Sequence, residues 1–176
     1  FRSGGLKEAA VRAFTEAKGN DILQFLKTGF TNAATAQVSK SALEAKAMGY
    51  LKEDDVIVFN PYELLHVAKV TARSMFDAGY RAPLQRPVTV TGRYGWATIR
   101  GQLVNMRDGG FISAYDYHLG DTIAEIVTGG DVDQGSVVSE QWLLDMERKA
   151  FISLLNNPKT QERIMGMMQT GKPVRN

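Results

Sequence analysis

The sequence predicts a mainly helical fold, α-rich within the α+β class, on three observations. Apolar residues recur at helical spacing over most of its length, and nearly every such stretch is bracketed by a capping residue or a glycine. Only two short runs, Val56-Ile57-Val58-Phe59 and Val88-Thr89-Val90, read as strands. At 176 residues, 44% apolar and 23% charged, the chain has the size and balance of an ordinary folded domain.

The elements follow in order. Leu6, Ala9, Ala10, Ala13 and Phe14 share one helical stripe, which predicts a helix over 6–17 punctuated by Gly19. Ile22, Leu23, Phe25, Leu26 and Phe30 give a broader apolar face over 21–34 despite Gly29. Ser41 and Glu44 have capping-box spacing and Gly49 supplies a left-handed stop, so a short helix is expected over 41–48. After the strand-like run, Asn60-Pro61-Tyr62-Glu63 combines an N-cap, a proline at the first helical position and a carboxylate that can reach back. A helix therefore starts there and carries Leu64, Ala68, Ala72 and Phe76 on one stripe to about Ala78, with Gly79 ending it. Residues 80–87 hold Pro83 and Pro87 and read as a connector. Helices are expected over 96–106 and 114–127, parted by Gly109-Gly110 and closed by Gly129-Gly130. The strongest pattern covers 139–155, where Trp142, Leu143, Met146, Ala150, Phe151 and Leu154 build the apolar face. Pro158 opens a last helix reaching about Met168.

Composition excludes several classes. With 21 basic against 19 acidic residues the net charge is only +2, which gives no charge-based reason to expect a nucleic-acid partner. The absence of cysteine removes disulfides, thiolate nucleophiles and cysteine-based zinc sites. No apolar run approaches the ~20 residues needed to span a bilayer. Lys7, Glu8, Arg12 and Glu16 interrupt any signal-peptide core, so the cytoplasm is the default expectation. Phe1 stands where a start methionine would be, and the chain is expected to begin at a cut end.

None of the 17 glycines forms even a G-x-G pair, so a dinucleotide-binding loop is not expected here. Gly4-Gly5 ahead of a helix can either offer backbone N–H groups to an anion or simply allow close packing. Asp131-Val132-Asp133-Gln134-Gly135 has its glycine at the fifth position, where a calcium loop needs it at the sixth, and reads as a helix-entry turn. Asp116, His118 and Asp121 are near in sequence, but helical positions two apart diverge, which argues against a metal or acid/base cluster. His66 lies in the most regular helix without a triad partner and is expected to be packed or exposed. No metal ligand and no catalytic residue is assigned.

Two features are left as candidate contacts. Arg86, Arg93, Arg100 and Arg107 recur every seven residues within a stretch, Asp77 to Asp108, that holds no acidic residue. On a helix Arg93, Arg100 and Arg107 share a face that can meet phosphates or an acidic partner, or else pair within the protein. Met167 and Met168, beside Ile164 and Met165, can line an adaptable acyl pocket or pack in a core or interface.

The stretch VSKSALEAKAMGYLKEDDVIVFNPYELLHVAKVTARSM resembles the crotonase (enoyl-CoA hydratase/isomerase) superfamily. Ala45, Gly49, Asp55, Glu63, Leu64, Leu65 and Ala68 match that family's rhythm of small-residue helix, turn, acidic short strand and E-L-L-x-x-A helix. GGLKEAAVRA is similar to the preceding crotonase segment, and MERKAFISLLNNPKTQERIMGMMQTGKP to the family's C-terminal helices. Generic crotonases match only about residues 4–18, 33–80 and 137–170. Nearly the whole chain, including TGGDVDQGSVVSEQWLLDMERKAF and the ending GKPVRN, resembles long bacterial proteins that fuse an NAD-dependent 3-hydroxyacyl-CoA dehydrogenase to a crotonase-like part.

That resemblance implies the C-terminal portion of a crotonase-like domain, forming one structural unit truncated at its N-terminus. Its parts would be the end of the core (1–80), an inserted helical section (81–136) and C-terminal helices (137–176). It further implies a parent enzyme of fatty-acid β-oxidation that hydrates enoyl-CoA, oxidises 3-hydroxyacyl-CoA with NAD, or both. The present segment would hold no cofactor, help to form the acyl-CoA pocket and the subunit interface, self-associate, and be inactive alone. A rival expectation is a self-sufficient helical assembly module without catalysis.

Overall fold

A computed structural model describes residues 4–82, 84–85, 87–172 and 174–176. Among them are eight α-helices, one turn of 3-10 helix and one antiparallel pair of two-residue strands. No described helix is long and apolar enough to cross a membrane. The chain divides into two compact units, one formed by Phe1–Gln37 with Arg86–Asn176 and a smaller one formed by Val38–Gln85.

In the larger unit the capping chemistry fixes where helices begin. Helix α1 (Gly5–Ala17) and helix α2 (Ile22–Ala34) are separated by a turn in which the Asp21 side chain accepts the Leu23 N–H at 3.0 Å. Strand β1 (Val88–Thr89), helix α5 (Gly92–Asp108) and helix α6 (Ala114–Thr128) follow. Strand β2 (Val137–Val138), helix α7 (Glu140–Leu155) and helix α8 (Pro158–Thr170) complete the unit. Helix α6 opens with a full capping box between Ser113 and Asp116, and α8 with Pro158 behind an Asn157 cap.

Helix α6 lies at the centre of this unit's core. Its Ile126 and Val127 pack with Leu6 and Ala13 of α1 and Leu26 of α2, while Ala124 meets Leu23, Ile99 and Leu103. A third cluster joins Ala10 to Val88, Val90 and the fully buried Leu143. The alanine face of α1 lets its backbone approach these neighbours closely, and each fully buried aliphatic side chain contributes about 2 kcal/mol. Gly129 turns the chain out of α6 at φ 92°, and a Cβ there would lie 2.6 Å from Val90, so the position excludes a side chain on two counts. The turn that follows brings β2 beside β1 in the register Val88–Val138 and Thr89–Val137.

The smaller unit contains helix α3 (Ala42–Ala47), the 3-10 turn Pro61–Glu63 and helix α4 (Leu64–Asp77). Ser41 caps α3 through the Glu44 N–H, and Asn60 accepts the Tyr62 N–H at 3.1 Å ahead of Pro61. Ala45 is buried, whereas α4 buries none of its residues.

Two expectations are corrected here. Val56-Ile57-Val58-Phe59 is not a strand, and Val56 and Phe59 are exposed. Strand propensity is realised only when a neighbour takes up the backbone N–H and C=O groups, and the described residues of this unit offer none. At Val88 that neighbour exists, because Val137-Val138 supplies it. The crotonase-like domain is also overturned. That architecture is β-rich, whereas this chain is mainly α with an open two-stranded sheet. The rhythm of Ala45, Gly49, Glu63, Leu64, Leu65 and Ala68 is accounted for by a capped short helix, a capped 3-10 turn and the helix that follows it, features that carry no information about a surrounding sheet.

Candidate functional site

An open groove of about 870 Å³ lies in the larger unit, between α2, α5, the 110–113 loop and the start of α6. Its floor and walls are mostly apolar: Leu23 and Phe30 from α2, Ile99, Leu103 and Met106 from α5, and Ile112. This follows from the helical repeat, since Leu23 and Phe30 lie two turns apart on one face of α2, as Ile99, Leu103 and Met106 do on α5. Three charged residues also line it, Lys27, Asp116 and Arg175. The volume falls within the range of small-molecule sites, and the chemistry is that of an apolar trough with cations along it.

Asp116 anchors one part of the groove. One of its oxygens accepts from Arg163 at 2.8 Å and Arg175 at 3.0 Å, and the other from the Ser113 backbone N–H and hydroxyl. Burial alone would raise this carboxyl, but the Arg163 hydrogen bond and the Ser113 backbone and hydroxyl outweigh it and hold the pKa at about 2. Arg163 also grips Asn176 through its side-chain and backbone oxygens, and the Asn176 amide reaches the Lys159 carbonyl and Glu162. Residues 174–176 are thereby strapped against α8. At Gly166 of α8 an added Cβ would come within 2.2 Å of Val174, so the strap uses the missing side chain as its seat.

The helix start at Gly4-Gly5 does bind an anion, and the anion is this chain's own. Buried Glu147 of α7 accepts the Gly4 N–H at 2.8 Å and the Lys7 N–H at 3.1 Å. A Lys7–Glu140 ion pair at 3.0 Å adds to the same junction.

Arg93, Arg100 and Arg107 all lie on α5, and each is held by carboxylates of this chain. Arg93 pairs with Asp131 at 2.8 Å and also with Asp133. Arg100 forms a two-pronged pair with Asp121, both bonds 2.8 Å, and stacks 4.3 Å from the Trp96 ring centre. The hydrogen bond to Asp121 raises the Arg100 pKa, while Asp121, which burial alone would raise, is lowered by Arg100 and Trp96. Arg107 pairs with Asp108 and lies over Tyr117. Arg86 lies outside the described residues, as does Phe1.

Met167 and Met168 are exposed on α8 and do not line the groove. Asp116, His118 and Asp121 diverge as their spacing requires: two serve separate arginine pairs and His118 is exposed. His66 is exposed on α4. Among the described residues no group of three or more His, Cys, Asp or Glu side chains could hold a metal. Lys27, Arg175 and the groove itself were not singled out from sequence. Their residues come from separate segments, and no local spacing links Lys27 to Arg175.

No family model and no solved structure matches the chain. Over 173 residues, 98% of its length, it is 38% identical to a protein of Bacillus subtilis (strain 168) described as a probable 3-hydroxyacyl-CoA dehydrogenase. The chain spans 22% of that relative's length. The relative's description names a dehydrogenase and no hydratase, and together with the helical fold this overturns the crotonase and hydratase part of the sequence resemblance. What the comparison shows is kinship with one segment of a dehydrogenase-named protein.

Proposed function

We infer that this chain is a helical segment, C-terminal in its parent, of an NAD-dependent 3-hydroxyacyl-CoA dehydrogenase of fatty-acid oxidation. The observation that carries the reading is the 38% identity sustained over 98% of the chain. The hydride-transfer machinery belongs to the remainder of the parent, because no G-x-G pair occurs anywhere in this sequence to receive a pyrophosphate. The segment's work is structural: it packs against the rest of the dehydrogenase or a second subunit.

Exposed apolar side chains support that assembly role. Leu64, Leu65 and Phe76 on α4, and Ile164, Met167 and Met168 on α8, remain in solvent in this chain. Arg93 is the most exposed of the three arginines, and the phosphates of a coenzyme-A ester would share it with Asp131 and Asp133.

The test is NADH formation from 3-hydroxyacyl-CoA, followed at its ultraviolet absorbance, with the parent polypeptide and with this chain alone. The parent should turn over and the isolated chain should not. Turnover by the isolated chain at a rate comparable to the parent's, or none by the parent, would overturn the reading.

A further inference from the structure

We propose that the α2–α5–α6 groove is a binding site for a long-chain carboxylate, the aliphatic chain lying in the apolar trough and the carboxylate meeting Arg175 and Lys27. The inference stands apart from the dehydrogenase reading, because every group it uses belongs to this chain. Three observations converge on it. The trough is apolar along two helices yet remains open, and at about 870 Å³ it is large enough for an extended aliphatic chain. The two arginines at Asp116 are unequally engaged: Asp116 accepts from both Arg163 and Arg175, and Arg163 also holds the backbone oxygen of Asn176. Arg175, whose side chain is 62% exposed, gives one N–H to Asp116 and keeps others for a ligand, whereas Arg163 is committed to Asp116 and Asn176. Lys27, the third charged lining residue, is exposed and has no ion-pair partner among the described residues.

Both cations line the trough itself. A carboxylate attached directly to the chain meets them, whereas a coenzyme-A thioester presents a neutral carbonyl there and carries its phosphates far off. The strap makes Arg175 part of the site: Gly166 seats Val174, and Arg163, Ser113 and Glu162 hold Asn176, so the guanidinium between them is placed in advance.

Titration calorimetry of this chain with dodecanoate, dodecanol, dodecyltrimethylammonium and dodecanoyl-CoA, each below its micelle concentration, tests the proposal. Dodecanoate should saturate a single site, with dodecanol about tenfold weaker, the energy of one charge-assisted contact. Lys27→Glu and Arg175→Glu should each weaken dodecanoate about tenfold and leave dodecanol unchanged. Gly166→Val, which touches no lining residue, should weaken dodecanoate alone by displacing the strap. Gln102→Trp, at a lining position exposed to solvent, should abolish binding of both. Circular dichroism of each variant establishes that it is folded. Absence of saturable dodecanoate binding, equal or tighter binding of the cationic amphiphile or of the thioester, or undiminished binding by folded Gln102→Trp would overturn it.

Discussion

Helices α6 and α4 are of similar length and are both locally well specified, yet they have opposite fates. Helix α6 (Ala114–Thr128) buries Tyr115, Gly120, Ala124, Ile126, Val127 and Thr128. Helix α4 (Leu64–Asp77) buries none, although its apolar residues recur with the same periodicity. The difference teaches that a cap and an amphipathic stripe determine that a helix forms, while burial depends on what the rest of the chain brings to the stripe. Around α6 that is α1, α2, α5 and α7, with side chains drawn from both ends of the sequence. Within Val38–Gln85 only Ala45 is buried, so the smaller unit lacks a core of its own among its described residues.

The largest expected effect separates the two units directly. Leu143 is fully buried against Ala10, Val88 and Val90, so Leu143→Ala removes its transfer energy and leaves a cavity, costing about 2–5 kcal/mol. Leu65 is 74% exposed on α4, and Leu65→Ala should stay within about 0.5 kcal/mol. Urea unfolding followed by circular dichroism measures both. Equal losses would mean that α4 buries its stripe in this chain after all.

A smaller effect, confined to the larger unit, is a pH dependence. Asp116 titrates at about 2 in the folded chain against an ordinary 3.8. The unfolded state therefore takes up its proton first as pH falls. The stability that Asp116 contributes is fully present above about pH 4 and is lost as pH drops through the folded value. Its size is about 2 kcal/mol. Asp116→Asn should lower stability by that order at neutral pH, and the variant and parent curves should converge toward pH 2 in urea titrations run across the acid range. Parallel curves would assign the acid loss to other carboxylates.

Much of the secondary structure was legible because its determinants are local. Ser41 with Glu44, Asn60 with Pro61, and the glycines at 49, 79, 109–110 and 129–130 mark ends that the structure reproduces. Pairing was not legible. Gly4 and Glu147 are 143 residues apart, Arg100 and Asp121 are 21 apart, and neither spacing carries a signal that could be read before the topology was known. The strand-like run at 56–59 failed for the same reason, since a strand is a relation between two segments. The crotonase likeness rested on a helix–turn–helix cadence, which many folds can carry.

The smallest expected effect tests whether the 3-10 turn that leads into α4 is held by its cap in place of a core. Asn60 is exposed, and its side-chain oxygen satisfies the Tyr62 N–H of the Pro61–Glu63 turn, a donor with no partner inside that turn. In a buried helix the loss of such a bond is masked by tertiary packing. Pro61, Tyr62 and Glu63 are all exposed, so Asn60→Ala should destabilise this turn by about 1 kcal/mol. Global unfolding of the larger unit should not change. Hydrogen exchange resolves the two: the amides of Tyr62 and Glu63 should lose about fivefold protection while those of α6 keep theirs. Unchanged protection there would show that the turn into α4 is secured by something other than the cap, and the contrast with α6 would then lie in where the packing comes from.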